Sequence, residues 1–109
     1  MALQVHQVAL ETVTTLRPLV PRIRRHDRSL AVQLTRAASS AVLNIAEAEY
    51  SDPGNRRARL HSAAGSANES RSALLVALAW GYVSQQQAQP AAELLDRVVA
   101  MLWRLTHGP

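Results

Sequence analysis

The chain has 109 residues, a formal net charge of +4 and no cysteine. That length corresponds to a single domain over residues 1–109. The missing thiols exclude a disulfide framework, a thiolate nucleophile and a zinc–thiolate site, and they fit a reducing, cytoplasmic setting. Hydrophobic residues make up 48%, mostly Ala, Leu and Val. Phe is absent, and the aromatics are Tyr50, Trp80, Tyr82 and Trp103. Ala and Leu favour helix, and strand-favouring types other than Val are sparse, so an all-α fold is expected. All twelve basic residues are arginine, which makes forked contacts to phosphate or carboxylate. No apolar run approaches the ~20 residues that span a bilayer. Residues 1–11 lack the charged-then-apolar order of a signal peptide.

Four helices are predicted, joined as an up-and-down antiparallel bundle. The first covers about residues 2–25, where Val5, Val8, Ala9, Val13, Leu16, Val20 and Ile23 recur at three- and four-residue spacing. Pro18 and Pro21 each remove a helical donor. Because the apolar phase runs through both, a kinked continuous helix is expected, with a break near Leu16 as the alternative. Asp27 is a good N-cap for the second helix, residues 28–50. Ser51-Asp52-Pro53-Gly54-Asn55 is the clearest turn. The third helix covers residues 56–80, with Gly81 as its C-cap. The fourth covers residues 85–107, with Ser84 and Gln87 as a capping box; Pro90 is an alternative first turn.

Helical-wheel positions, at 100° per residue, give the fourth helix one apolar face: Leu94, Leu95, Val98, Val99, Met101, Leu102 and Leu105. The second helix has two apolar stripes. Leu30, Ala31, Leu34, Ala38, Ala41, Val42 and Ile45 form one, and Val32, Ser39, Leu43, Ala46 and Tyr50 form the other. A narrow polar strip lies between them, with Arg36, Ser40, Asn44 and Glu47, whose groups should hydrogen-bond one another or a neighbour. The third helix is also apolar on two sides: Leu60, Ala64, Ala67, Leu74 and Leu78 on one, Ala73, Val76, Ala77 and Trp80 on the other. One small bundle cannot bury both faces of two helices, so self-association into a homo-oligomer is expected. Arg71 falls in the third helix's main apolar face and Glu49 at a matching place on the second, so the two are expected to pair with each other or each across a subunit contact, with snorkelling of both to the rim as the alternative.

No pattern supports catalysis. His6, His26, His61 and His107 are scattered without metal-ligand spacing, Glu47 and Glu49 lie on different faces, and no phosphate-cradling loop or nucleophile elbow is present. No metal, cofactor or enzymatic activity is expected. The signal that remains is basic. Residues 17–36 hold six arginines against Asp27 alone, a local +5. Arg22, Arg24, Arg25 and Arg28 are the candidate nucleic-acid contacts there, and Arg56, Arg57 and Arg59 open the third helix. No aromatic interleaves with these arginines in the sequence, so contact should be mainly with phosphate and steeply salt-dependent.

The stretch from Gln33-Leu34-Thr35-Arg36-Ala37-Ala38-Ser39-Ser40 to Asn44-Ile45-Ala46-Glu47 resembles the bacterial four-helix-bundle proteins encoded in intervening sequences of 23S ribosomal RNA genes. Their pattern is Q-L-x-R-A-A-x-S, three residues, then N-I-A-E-G. Gly65-Ser66-Ala67-Asn68-Glu69 and Trp80-Gly81-Tyr82 also match. Ala48 stands where the family usually has Gly, so the second helix should continue through it. The opening, Leu16-Arg17-Pro18-Leu19-Val20 through Arg28, is most similar to the branch related to Avd, the accessory variability protein of diversity-generating retroelements. The resemblance implies a homopentameric barrel with a basic surface and, for the Avd branch, binding of a reverse transcriptase and RNA. The expected function is therefore a non-enzymatic oligomeric scaffold that binds nucleic acid. The alternative is an adaptor whose arginines meet an acidic protein partner.

Overall fold

The computed structural model describes residues 2–108. Among them are five α-helices and no strand: α1 (Ala2–Leu16), α2 (Val20–His26), α3 (Arg28–Glu49), α4 (Pro53–Trp80) and α5 (Gln85–His107). The all-α class is as the sequence implies, but the count of four is not, because the first expected helix is two. Pro18 has no N–H to offer the Thr14 carbonyl and its ring crowds the preceding turn. The chain makes a tight turn instead, in which the Leu19 N–H donates to the Leu16 carbonyl at 2.9 Å. Pro21 falls in the first turn of α2, where a missing donor costs nothing. Leu19 keeps right-handed helical dihedrals (φ −82°, ψ −28°), so Leu16, Leu19 and Ile23 all stay buried at 3%, 4% and 0% exposure. The apolar phase survives the break, which is why the segment reads as one kinked helix.

The other boundaries are set by side-chain caps. Asp27, in extended conformation, accepts from the Leu30 N–H at 3.0 Å and starts α3. Helix α3 runs through the fully buried Ala48 to Glu49. Asp52 accepts from the Asn55 N–H at 3.0 Å, so α4 begins at Pro53 and not at Arg56. The Pro-Gly-Asn composition reads as a loop, yet proline suits the first helical position. Gly81 ends α4 with φ +77°, a left-handed conformation that glycine adopts without a Cβ clash. Ser84 and Gln87 form the reciprocal capping box of α5, which continues through Pro90.

The turns between α3, α4 and α5 are short, so these helices run antiparallel. Helix α3 packs on α4, α4 on α5, α5 on α1 and α1 on α3, while α2 lies against α3. Ala41 and Ala48 of α3 share a buried cluster with Ala63 and Ala67 of α4, small side chains that allow close approach. The buried residues form two clusters along the bundle. One gathers Leu16, Leu19, Ile23, Leu30, Leu74, Ala77, Val83 and Leu95 at the α1–α2 elbow. The other gathers Val5, Val8, Ile45, Leu60, Ala63, Val98 and Leu102 at the opposite end.

The second stripe of α3 stays outside: Leu43 is 61% exposed and Tyr50 94%, with Val32 also exposed. On α4 the expected second face is only partly external. Ala73 and Ala77 join the core, leaving Val76 and Trp80 exposed, and Leu75, outside the expected face, is exposed as well. No helix among the described residues is long and apolar enough to cross a membrane.

Candidate nucleic-acid interface

The two arginine groups lie at opposite ends of a molecule 42 Å long. They are separated by α3, which at 1.5 Å per residue spans about 33 Å. They do not form one continuous patch on a single chain.

At the elbow end, α2 is a short helix whose one buried side chain is Ile23. Val20 packs half-buried against the same core, and the polar positions turn outward, so Arg22, Arg24 and Arg25 are exposed, as is Arg28 at the start of α3. Arg24 and Arg25 occupy the last turn of α2, where the helix dipole favours cations. The local acid, Asp27, has its carboxylate engaged as the α3 cap. The ion pairs among the described residues are Arg59–Glu47 and Arg71–Asp96, so neither involves this group. An open apolar cavity of about 300 Å³ lies in the elbow, lined by Val13, Leu16, Val20 and Leu34 together with Arg17 and Arg24.

The fold also supplies what the linear sequence lacks at this end. The α2–α3 and α4–α5 turns meet there, and His26 stacks on Tyr82 with ring centroids 4.8 Å apart and planes 2° from parallel. Tyr82 in turn lies parallel to Trp80, at 6.4 Å and 12°. The expectation that no aromatic accompanies the arginines is therefore corrected: it holds along the chain and fails in space. The signal that could have located these rings is topological. A helix ending at Gly81 in an antiparallel bundle returns Trp80 and Tyr82 to the end where α2 turns into α3.

At the opposite end two of the three arginines have partners within the chain. Arg57 donates through Nη2 to the Thr106 carbonyl at 3.2 Å, and Arg59 pairs with Glu47 at 2.8 Å. Arg56 is half-buried.

In the polar strip of α3, Ser40 and Asn44 are hydrogen-bonded and Glu47 pairs with Arg59. Asn44 Nδ2 donates to the Ser40 carbonyl at 3.0 Å and to Ser40 Oγ at 3.2 Å, and Ser66 Oγ donates to Ser40 Oγ at 2.9 Å across the helix pair. Arg36 lines a shallow groove with Ser40, Asn44, Glu47 and Arg59. The expected Arg71–Glu49 pair does not form. Arg71 Nη1 contacts Asp96 on α5 at 3.2 Å, with both side chains largely exposed, and Glu49 faces solvent. The wheel places Arg71 in the apolar face, but its long, flexible side chain carries the guanidinium to the Asp96 carboxylate of α5 at the rim. No buried side-chain nitrogen or oxygen among the described residues lacks a hydrogen-bond partner. No group of three or more His, Cys, Asp or Glu is placed to hold a metal ion among them. The Asp52 carboxyl is held below its ordinary pKa, chiefly by the Asn55 backbone N–H and then by the Asn55 side-chain amide.

The comparisons with known proteins agree on fold and family. No curated protein matches the chain. A crystal structure from Bacteroides thetaiotaomicron, described as a protein of unknown function from the S23 ribosomal protein family, superposes with a TM-score of 0.85 at 20% identity. It covers 94% of this chain and 97% of that one. At that identity the likeness speaks for the fold. Residues 1–104 match the family described as 23S rRNA-intervening sequence protein, and the chain belongs to that family.

Proposed function

We propose that the protein is a non-enzymatic, oligomeric scaffold that binds nucleic acid through its elbow end. The observation that carries this reading is the exposed set Arg22, Arg24, Arg25 and Arg28, whose neighbouring acid is tied up as a helix cap. Charges with no internal partner are available to phosphate, and repetition around an oligomer makes weak contacts multivalent. Self-association is supported by the exposed Val32, Leu43 and Tyr50 on α3, a stripe that water would otherwise hydrate. The resemblance to the family extends the proposal to a homopentamer, the resemblance to the Avd branch adds a reverse transcriptase as protein partner, and the absence of cysteine supports a cytoplasmic setting. The second reading, an adaptor for an acidic protein, uses the same arginines.

Fluorescence anisotropy with a structured RNA and a duplex DNA across a salt series tests the proposal, with sedimentation equilibrium run in parallel. Binding at low salt that falls steeply as salt rises, by an assembly well above 11.9 kDa, is the expected result. If neither nucleic acid binds at low salt, the adaptor reading takes its place. A clean monomer at micromolar concentration removes the oligomer.

A further inference from the structure

We infer that the row Trp80–Tyr82–His26 is a stacking platform for the bases of single-stranded nucleic acid. This inference rests on the nucleic-acid reading above and specifies its ligand.

Three observations carry it. The rings are nearly parallel, at 2° and 12°, so they form one directed row and not a random cluster. Its outer member, Trp80, is 71% exposed, although a tryptophan side chain offers a large apolar area and usually finds cover. Its middle member, Tyr82, is fixed, while His26 is itself exposed. Tyr82 is half-buried against the core, its N–H donates to the Ala77 carbonyl at 2.9 Å, and Gly81 holds the turn in left-handed conformation. The open ring is therefore presented at a set angle, and a base laid on it loses little additional freedom.

Charge complementarity names the occupant. Arg22 precedes His26 by one helical turn on the same face of α2, Arg25 directly precedes it, and Arg28 follows beyond Asp27, whose carboxylate caps α3. An aromatic surface beside several cations suits an unpaired base followed by its phosphates. In a duplex the base faces already stack on each other and cannot lie on a side chain. A single strand, a loop or a splayed end has open faces. The preference concerns strandedness more than sequence, because every base has a π-face.

The chain has two tryptophans, so Trp103→Phe leaves Trp80 as the sole indole reporter. Titrating that variant at low salt with an unstructured oligonucleotide of about twelve nucleotides, within the usual footprint of such sites, should quench the Trp80 emission. A duplex of equal length should not. In anisotropy, Trp80→Ala should weaken single-strand binding by roughly fivefold or more. Duplex affinity and salt slope should be unchanged, and Trp80→Phe should restore much of the loss. Because Trp80 is exposed, helicity by circular dichroism should match the parent. If Trp80→Ala binds single strands as tightly as the parent, the platform is wrong and the nucleic-acid reading stands. If neither single strands nor duplex bind the parent, both fall. If Trp80→Ala lowers the sedimentation mass, the ring belongs to a subunit contact and the inference is overturned.

Discussion

Arg22, Arg24 and Arg25 at one end of the bundle and Arg56, Arg57 and Arg59 at the other are alike in number and in chain spacing, but their surroundings differ. The first group sits on a seven-residue helix held by one buried side chain, Ile23, and has solvent around it. The second opens the 28-residue α4, where α5 ends close by. There Arg57 reaches the Thr106 carbonyl at the negative end of the α5 dipole, and Arg59 meets Glu47. A basic run in a sequence is thus two different things, depending on whether acceptors lie within reach. Where carbonyls and carboxylates are near, the arginines hold helices together. Where they are not, the charge remains for a partner.

The largest way to break this contrast is to undock α2. Ile23→Ala removes its one fully buried anchor and should cost about 2–5 kcal/mol, read as a shift in the urea midpoint. Nucleic-acid affinity should fall with it even under conditions where the rest of the bundle stays folded. A loss below about 0.5 kcal/mol would mean that α2 is held by something other than Ile23. A smaller effect separates the arginine groups by stability. Arg57→Ala and Arg59→Ala should each cost about 0.5–1 kcal/mol, whereas Arg22→Ala or Arg25→Ala should cost nothing measurable. Arg71→Ala should lose under about 1 kcal/mol, because its pair with Asp96 is exposed.

The smallest effect concerns the cap of α4. Hydrogen bonds from Asn55 lower the folded pKa of Asp52. Its charge therefore contributes stability that is complete above the unfolded carboxyl pKa and is lost as pH falls through the folded value. Asp52→Asn keeps the capping geometry without the charge. It should lower the melting temperature slightly at neutral pH, and the difference should vanish in strong acid. A difference that persists in acid would assign the effect to geometry.

How far the sequence could be read follows from where each signal resides. Caps are local, so Asp27, Gly81 and the Ser84–Gln87 box were legible, as was the buried stripe from Leu30 to Ile45. The elbow was not legible outright, only as the alternative of a break near Leu16, because Leu19 stays helical and keeps the apolar phase across that break. Nor was the start of α4, where one proline serves equally as turn and as first helical residue. The partner of Arg71 depends on the axial register of α4 against α5, which a wheel does not contain. The Trp80–Tyr82–His26 row joins residues far apart in the chain, and only the meeting of two turns creates it. The candidate site was therefore half visible: its charges were in the sequence and its rings came from the fold.

The central claim, that the elbow end and not the α4 start is the nucleic-acid face, is tested most directly by comparing salt slopes of two triple variants. One carries Arg22→Gln, Arg24→Gln and Arg25→Gln; the other carries Arg56→Gln, Arg57→Gln and Arg59→Gln. Each phosphate contact contributes about 0.7–0.9 to the slope of log affinity against log salt. The elbow variant should therefore flatten that slope by roughly two to three units while its sedimentation mass stays that of the parent. The α4 variant should change it by less than about one unit. Equal changes in the two variants, or a larger change from the α4 set, would contradict the account.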